Sequence, residues 1–133
     1  MGYRFDFDSQ NNLLRCSWEG VVTDDLLWEN FCAVKNLVAA HSFRRCINDF
    51  SGVTQFDASS KIIERIARVP PIFGGAGTML IILAPKDLIF GLSRMFSSLS
   101  EPSRPNLHVV HTEQEAFALL GITSANFSPI SDP

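Results

Sequence analysis

Charge is scarce in this chain. Asp, Glu, Lys and Arg make up 19% of its 133 residues, with a formal net charge of −3. The basic surplus that a phosphate backbone demands is missing, so nucleic acid is not an expected partner. Cysteine is scarce too: Cys16, Cys32 and Cys46 form an odd set, none in CxxC or Cys/His spacing. That argues against a disulfide framework and a zinc site, and leaves buried free thiols in a reducing compartment as the expectation. Long apolar runs are absent. The longest, Met79 to Ala84, is far too short to cross a bilayer, and the first residues already alternate with charge from Tyr3 to Asp8, unlike a signal peptide. A cytoplasmic protein without a membrane span is expected.

What is abundant is apolar: 46% of the residues, with eleven phenylalanines. A chain of this length can bury a core without covalent staples. Tyr3, Phe5 and Phe7 alternate with charged residues and predict a half-buried strand, with Asp6 and Asp8 on its solvent face. Ser9 to Asn12 predicts a turn, and Leu13 to Trp18 a second strand ended by Glu19-Gly20, so the two form an antiparallel hairpin. Thr23 caps a helix to about Ala40, with Leu27, Phe31, Val34 and Val38 inward. Cys46 to Phe50 reads as a central strand and Ser51 to Thr54 as a loop. A helix from Ser59 turns Ile62, Ile63 and Ile66 inward and stops at Pro70-Pro71. Met79 to Leu83 is a strand covered on both faces. The next helix carries a predicted buried stripe of Leu88, Leu92, Met95 and Leu99. Leu107 to Val110 is the last strand, and Thr112 to Glu115 a capping box opening the last helix, ended by Gly121. The expected fold is a single α/β domain over residues 1–122: an N-terminal β-hairpin, then alternating α and β, giving a mixed sheet of about five strands with about four helices. Residues 123–133 are expected to be a flexible tail.

No catalytic constellation is visible. His41, His108 and His111 have no serine elbow or acid partner at a recognisable spacing. Gly74-Gly75-Ala76-Gly77 precedes a strand, lacks GxGxxG spacing and has no Gly-Lys-Ser/Thr, so it is not a phosphate loop. No metal site and no cofactor are expected. Gly91 interrupts a helix at a cost of about 1 kcal/mol relative to Ala. It marks either close packing on the sheet or, with Arg94 one turn on, a ligand or partner surface.

The segment Asp49-Phe50-Ser51-Gly52-Val53-Thr54-Gln55-Phe56-Asp57-Ala58-Ser59-Ser60 stands at a strand-to-helix junction, the end of an α/β sheet where ligands and partners bind. Asp57 or Ser59 can cap the following helix. This stretch resembles the Asp-x-Ser-Gly-Val-x-x-x-Asp-Ser-Ser-Gly motif of the STAS family, the domains shared by sulfate transporters and anti-sigma-factor antagonists. The hairpin and strand order follow that family over roughly Tyr3 to Ile122. Ala58 stands where the antagonists have their first serine, and Ser60 where they have glycine. The segment Ala84 to Phe96 looks like a bacterial branch described as STAS- or SEC14-like.

The resemblance implies a non-enzymatic regulatory domain that binds a protein partner, a kinase or a regulatory protein. Ser59 would be the phosphorylated residue, and Asp49, Asp57 and Ser60 its surroundings. The alternative is a SEC14-like domain binding a small molecule or lipid, in keeping with the phenylalanine count. Apolar surface on the hairpin or on the Phe90/Phe96 helix would support a homodimer.

Overall fold

Alternation at the N-terminus builds the first sheet pair. Strand β1 (Tyr3–Asp8) runs antiparallel to β2 (Leu13–Val22), with Tyr3 opposite Trp18 and Asp8 opposite Leu13. Asn12, with φ 50°, makes the turn. In this computed structural model, which describes residues 2–101 and 103–130, the chain continues as α1 (Asp24–His41), β3 (Arg45–Phe56), α2 (Ser60–Arg68), β4 (Met79–Leu83), α3 (Asp87–Ser100), β5 (Leu107–Val110), α4 (Glu113–Leu120) and β6 (Ser128–Pro129). The fold is the expected α/β domain with four helices, and its mixed sheet has six strands in the order β5-β4-β3-β2-β1-β6. Strands β2 to β5 are parallel to one another, as crossover helices require.

The strand period of two sorts side chains between two layers. Leu14, Cys16 and Trp18 of β2, Cys46 and Phe50 of β3 and Ile82 of β4 face α1 and α3. Leu13, Ile47, Ile81 and Leu83 face the other way and pack with Ala116 and Leu120 of α4. On the first face the Trp18 ring stacks on Phe50 at 5.6 Å, and its indole N–H donates to Asn48 Oδ1 at 2.7 Å. A buried indole needs that partner. The helix ends follow the expected chemistry. Thr23 accepts from the Leu26 N–H, and Thr112 and Glu115 form a reciprocal capping box before Gly121 ends α4 at φ 71°.

Five details depart from the sequence expectation. Strands β2 and β3 do not stop at Trp18 and Phe50. They pair with each other as far as Val22 and Phe56, with register shifts at Ser17/Glu19 and Gly20/Val21. Gly20 permits the bulge with φ 72°, and a Cβ on Gly52 would sit 2.6 Å from the Trp18 carbonyl oxygen. The predicted Ser51–Thr54 loop is therefore strand: β4 pairs only to Asp49, and β2 and β3 extend beyond it as a two-stranded arm.

Asp6 and Asp8 are not on a solvent face. They are 5% and 2% exposed, because the chain after Ile122, expected to run loose, folds back over them. Its β6 pairs with β1, the Asn126 N–H donates to Asp8 Oδ2 at 3.0 Å, and Phe127 lies under the Arg15 guanidinium at 3.8 Å. Residues 131–133 of the predicted tail lie outside the described residues. The buried stripe of α3 is rotated from the predicted one: Leu88 and Leu99 are 63% and 48% exposed, while Ile89 and Ser93 are buried. Both stripes are apolar enough to face a core, and only packing on the sheet chooses between them. Finally, Cys16 and Cys46 are buried as expected, but Cys32 on α1 is exposed.

Candidate functional site

The Asp49–Ser60 segment is split into three local pairings. Asp49 Oδ1 accepts from the Ser51 N–H at 2.9 Å and from its hydroxyl at 2.5 Å, an Asx turn at the root of the β2–β3 arm. Both Asp57 oxygens accept from Gln55 Nε2, at 2.8 and 2.9 Å. Ser59 occupies the N-cap of α2, as expected, but its hydroxyl makes no bond to that helix. Instead its N–H donates to Asp24 Oδ1 at 2.6 Å and its hydroxyl to Asp24 Oδ2 at 2.7 Å. The carboxylate in the first turn of α1 thus ties the starts of two helices together. Nearby, the Arg65 guanidinium of α2 covers the Trp28 ring of α1 at 3.6 Å, closing the same joint. Ser60 is exposed.

Gly91 and Arg94 are both exposed on α3. A Cβ on Gly91 would meet nothing within 4 Å, so close packing does not account for the glycine. His111 is exposed and stacks on Phe90 at 3.7 Å. Among the described residues no group of three or more His, Cys, Asp or Glu side chains is arranged to hold a metal ion.

A feature that the sequence did not single out lies beneath the helices. Between the sheet and α1, α2 and α3 is a cavity of about 140 Å³. The sheet contributes Cys16, Cys46, Asn48, Phe50, Leu80 and Ile82 as its floor. Phe31 and Val34 of α1, Ile63 and Ile66 of α2 and Leu92 and Phe96 of α3 form its walls.

Three uncharged polar side chains interrupt this apolar lining. Asn30 of α1 and Ser93 of α3 are 5% and 7% exposed, and Asn48 of β3 is half-buried. Asn30 Nδ2 donates to Cys16 Sγ at 3.1 Å, and Asn48 Oδ1 accepts from Trp18. Asn30 Oδ1, Asn48 Nδ2 and the Ser93 hydroxyl have no hydrogen-bond partner among the described residues. None of the three is sealed in by protein, whereas Arg15 Nε is. These atoms open onto the cavity, where water or another small molecule can complete their hydrogen bonds.

Arg104 also reaches the lining and is 6% exposed. Its two terminal nitrogens donate to the carbonyls of Ile66, Ala67 and Val69 at 3.1 to 3.3 Å and to Ser100 Oγ at 3.4 Å. The guanidinium thus satisfies the C-terminal carbonyls of α2, where a positive charge is favoured. Burial pulls its pKa below the ordinary arginine value. Burial disfavours the thiolate form of both cavity cysteines. Burial pushes Cys16 up to about 12 against the weaker effect of the Asn30 bond, and Cys46 well above its ordinary value.

No protein-family model matches the chain, and no curated protein sequence matches it.

Proposed function

We propose that this domain binds a small, largely apolar molecule in the cavity between the sheet and α1–α3. The observation that carries the reading is the pairing of that cavity with unpartnered polar atoms of Asn30, Asn48 and Ser93 on its wall. Size limits the ligand. A dry cavity of about 150 Å³ lined by Leu, Ile and Phe takes up benzene, whereas drug-sized ligands occupy pockets of about 300 Å³ or more. At about 140 Å³ the present cavity suits one ring or a short branched chain. Of the two ligand classes in the SEC14-like reading, a compact molecule fits better than a long-chain lipid. A ligand that binds only the folded state raises stability with its concentration. Saturating toluene therefore raises the urea midpoint, whereas an unchanged midpoint up to the solubility limit of toluene removes the reading.

A second reading, a protein-interaction domain of the antagonist type, is favoured by the Asp24–Ser59 joint. Phosphorylation of Ser59 would remove its donor hydroxyl and bring about −2 charges against a carboxylate at hydrogen-bond distance, parting α1 from α2. Pull-downs from the native cell with wild type, Ser59→Ala and Ser59→Glu test it. A partner lost or gained only with Ser59→Glu supports the switch, and identical partner sets remove it.

A further inference from the structure

We infer that the cavity ligand carries a neutral hydroxyl on a compact apolar body, and is not a carboxylate. The inference rests on the small-molecule reading above and concerns what the ligand's polar end must be. Every polar side chain with unpartnered atoms on the wall, apart from arginine, is neutral: two amides and one hydroxyl. Asn48 Nδ2 and Ser93 can donate, and Asn30 Oδ1 and Ser93 can accept. A group that both donates and accepts satisfies both kinds of atom at once.

The one cation in the lining does not alter this. Four of the five N–H directions of the Arg104 guanidinium already meet three carbonyls and a hydroxyl at 3.1 to 3.4 Å. Only its Nε edge has no partner among the described residues. A carboxylate placed there would forgo the two-toothed pairing that makes arginine an anion receptor, while losing its own hydration in an apolar space. An apolar ligand with no polar group would fit by size but leave Asn30, Asn48 and Ser93 unsatisfied.

Toluene, phenol and benzoate, titrated into the intact 133-residue chain and read by calorimetry, separate these cases. In a wholly apolar cavity phenol binds about tenfold or more weakly than toluene, because its hydroxyl loses water and gains nothing. Here phenol is expected to bind at least as tightly as toluene, and benzoate, whose carboxylate would lose its hydration without a paired partner, at least about a hundredfold more weakly than phenol. Ser93→Ala and Asn30→Leu should each lower the phenol-to-toluene affinity ratio about tenfold. Toluene binding by the same variants reports that their cavity is intact. A variant that has lost toluene binding is replaced by Ser93→Cys, which keeps most of the volume, is a poor hydrogen-bonding group and should lower the ratio in the same direction. Phenol weaker than toluene by tenfold, a ratio insensitive to these substitutions, or benzoate as the tightest ligand would each overturn the inference while leaving a small-molecule site in place. Failure of all three compounds to bind would remove the site itself.

Discussion

Asp8 shows how one side chain holds distant parts of the chain together. Its carboxylate is 2% exposed and accepts from the N–H groups of Gln10, Asn11 and Asn126 and from Asn11 Nδ2. Burial alone would raise its pKa, but the four hydrogen bonds together outweigh burial and hold it below the usual 3.8. A carboxyl with a lowered folded pKa adds stability above its unfolded pKa and loses it as pH falls through the folded value. Asp8→Asn should therefore cost about 1–3 kcal/mol at pH 7, and the gap from wild type should narrow as pH drops below 3.8. Urea midpoints of both proteins across that range measure it; a gap independent of pH would show that the charge is not what matters. Little of this was legible in the sequence. Asp6 and Asp8 alternate with apolar residues and so read as solvent-facing. Their cover comes from Asn126 and Phe127, more than a hundred residues away, and no local pattern reports that contact.

Two glycines separate strand from helix at the scale of elements. Gly52 is required by the arm, since a Cβ there would press on the Trp18 carbonyl at 2.6 Å, whereas Gly91 on α3 has open space around it. Gly52→Ala should destabilise by about 2 kcal/mol or more, and Gly91→Ala should stabilise by about 1 kcal/mol. Thermal unfolding of the pair checks both signs. The same element logic applies to the cavity. Ser93→Leu would replace an unpartnered hydroxyl by apolar volume, and should stabilise by about 1 kcal/mol while abolishing toluene binding. Stability gained without loss of binding would place the ligand elsewhere. The helices themselves were readable, because caps and apolar periodicity are local: Thr23, Thr112 with Glu115, and Gly121 all act as expected. The inward face of α3 was not, because Leu88/Leu92/Met95/Leu99 and Ile89/Leu92/Ser93/Phe96 are both largely apolar at helical spacing. Asn30 and Ser93 offered the missed signal, polar residues within apolar helix stripes.

The whole molecule is asymmetric about its sheet. One face carries α4 and Phe127 over the core of Leu13, Ile47 and Ile81, and the other carries three helices over a cavity. Strand alternation with helices made the architecture predictable, since parallel pairs need crossovers. The cavity was not predictable, because it depends on how closely three helices approach the sheet. Deleting residues 123–133 removes β6, the Asn126 contact and the Phe127 cover of Arg15. That chain should unfold at lower urea, by about 2–3 kcal/mol, yet still bind toluene, because no described residue of that segment lines the cavity. The most direct test of a ligand site is where the perturbation falls. Methyl-resolved NMR of isoleucine-labelled protein titrated with phenol should move Ile63, Ile66, Ile82 and Ile89, which line the cavity, and leave Ile47 and Ile81 on the opposite face in place. Shifts centred on Ile47 and Ile81, or none at saturating phenol, would contradict the account.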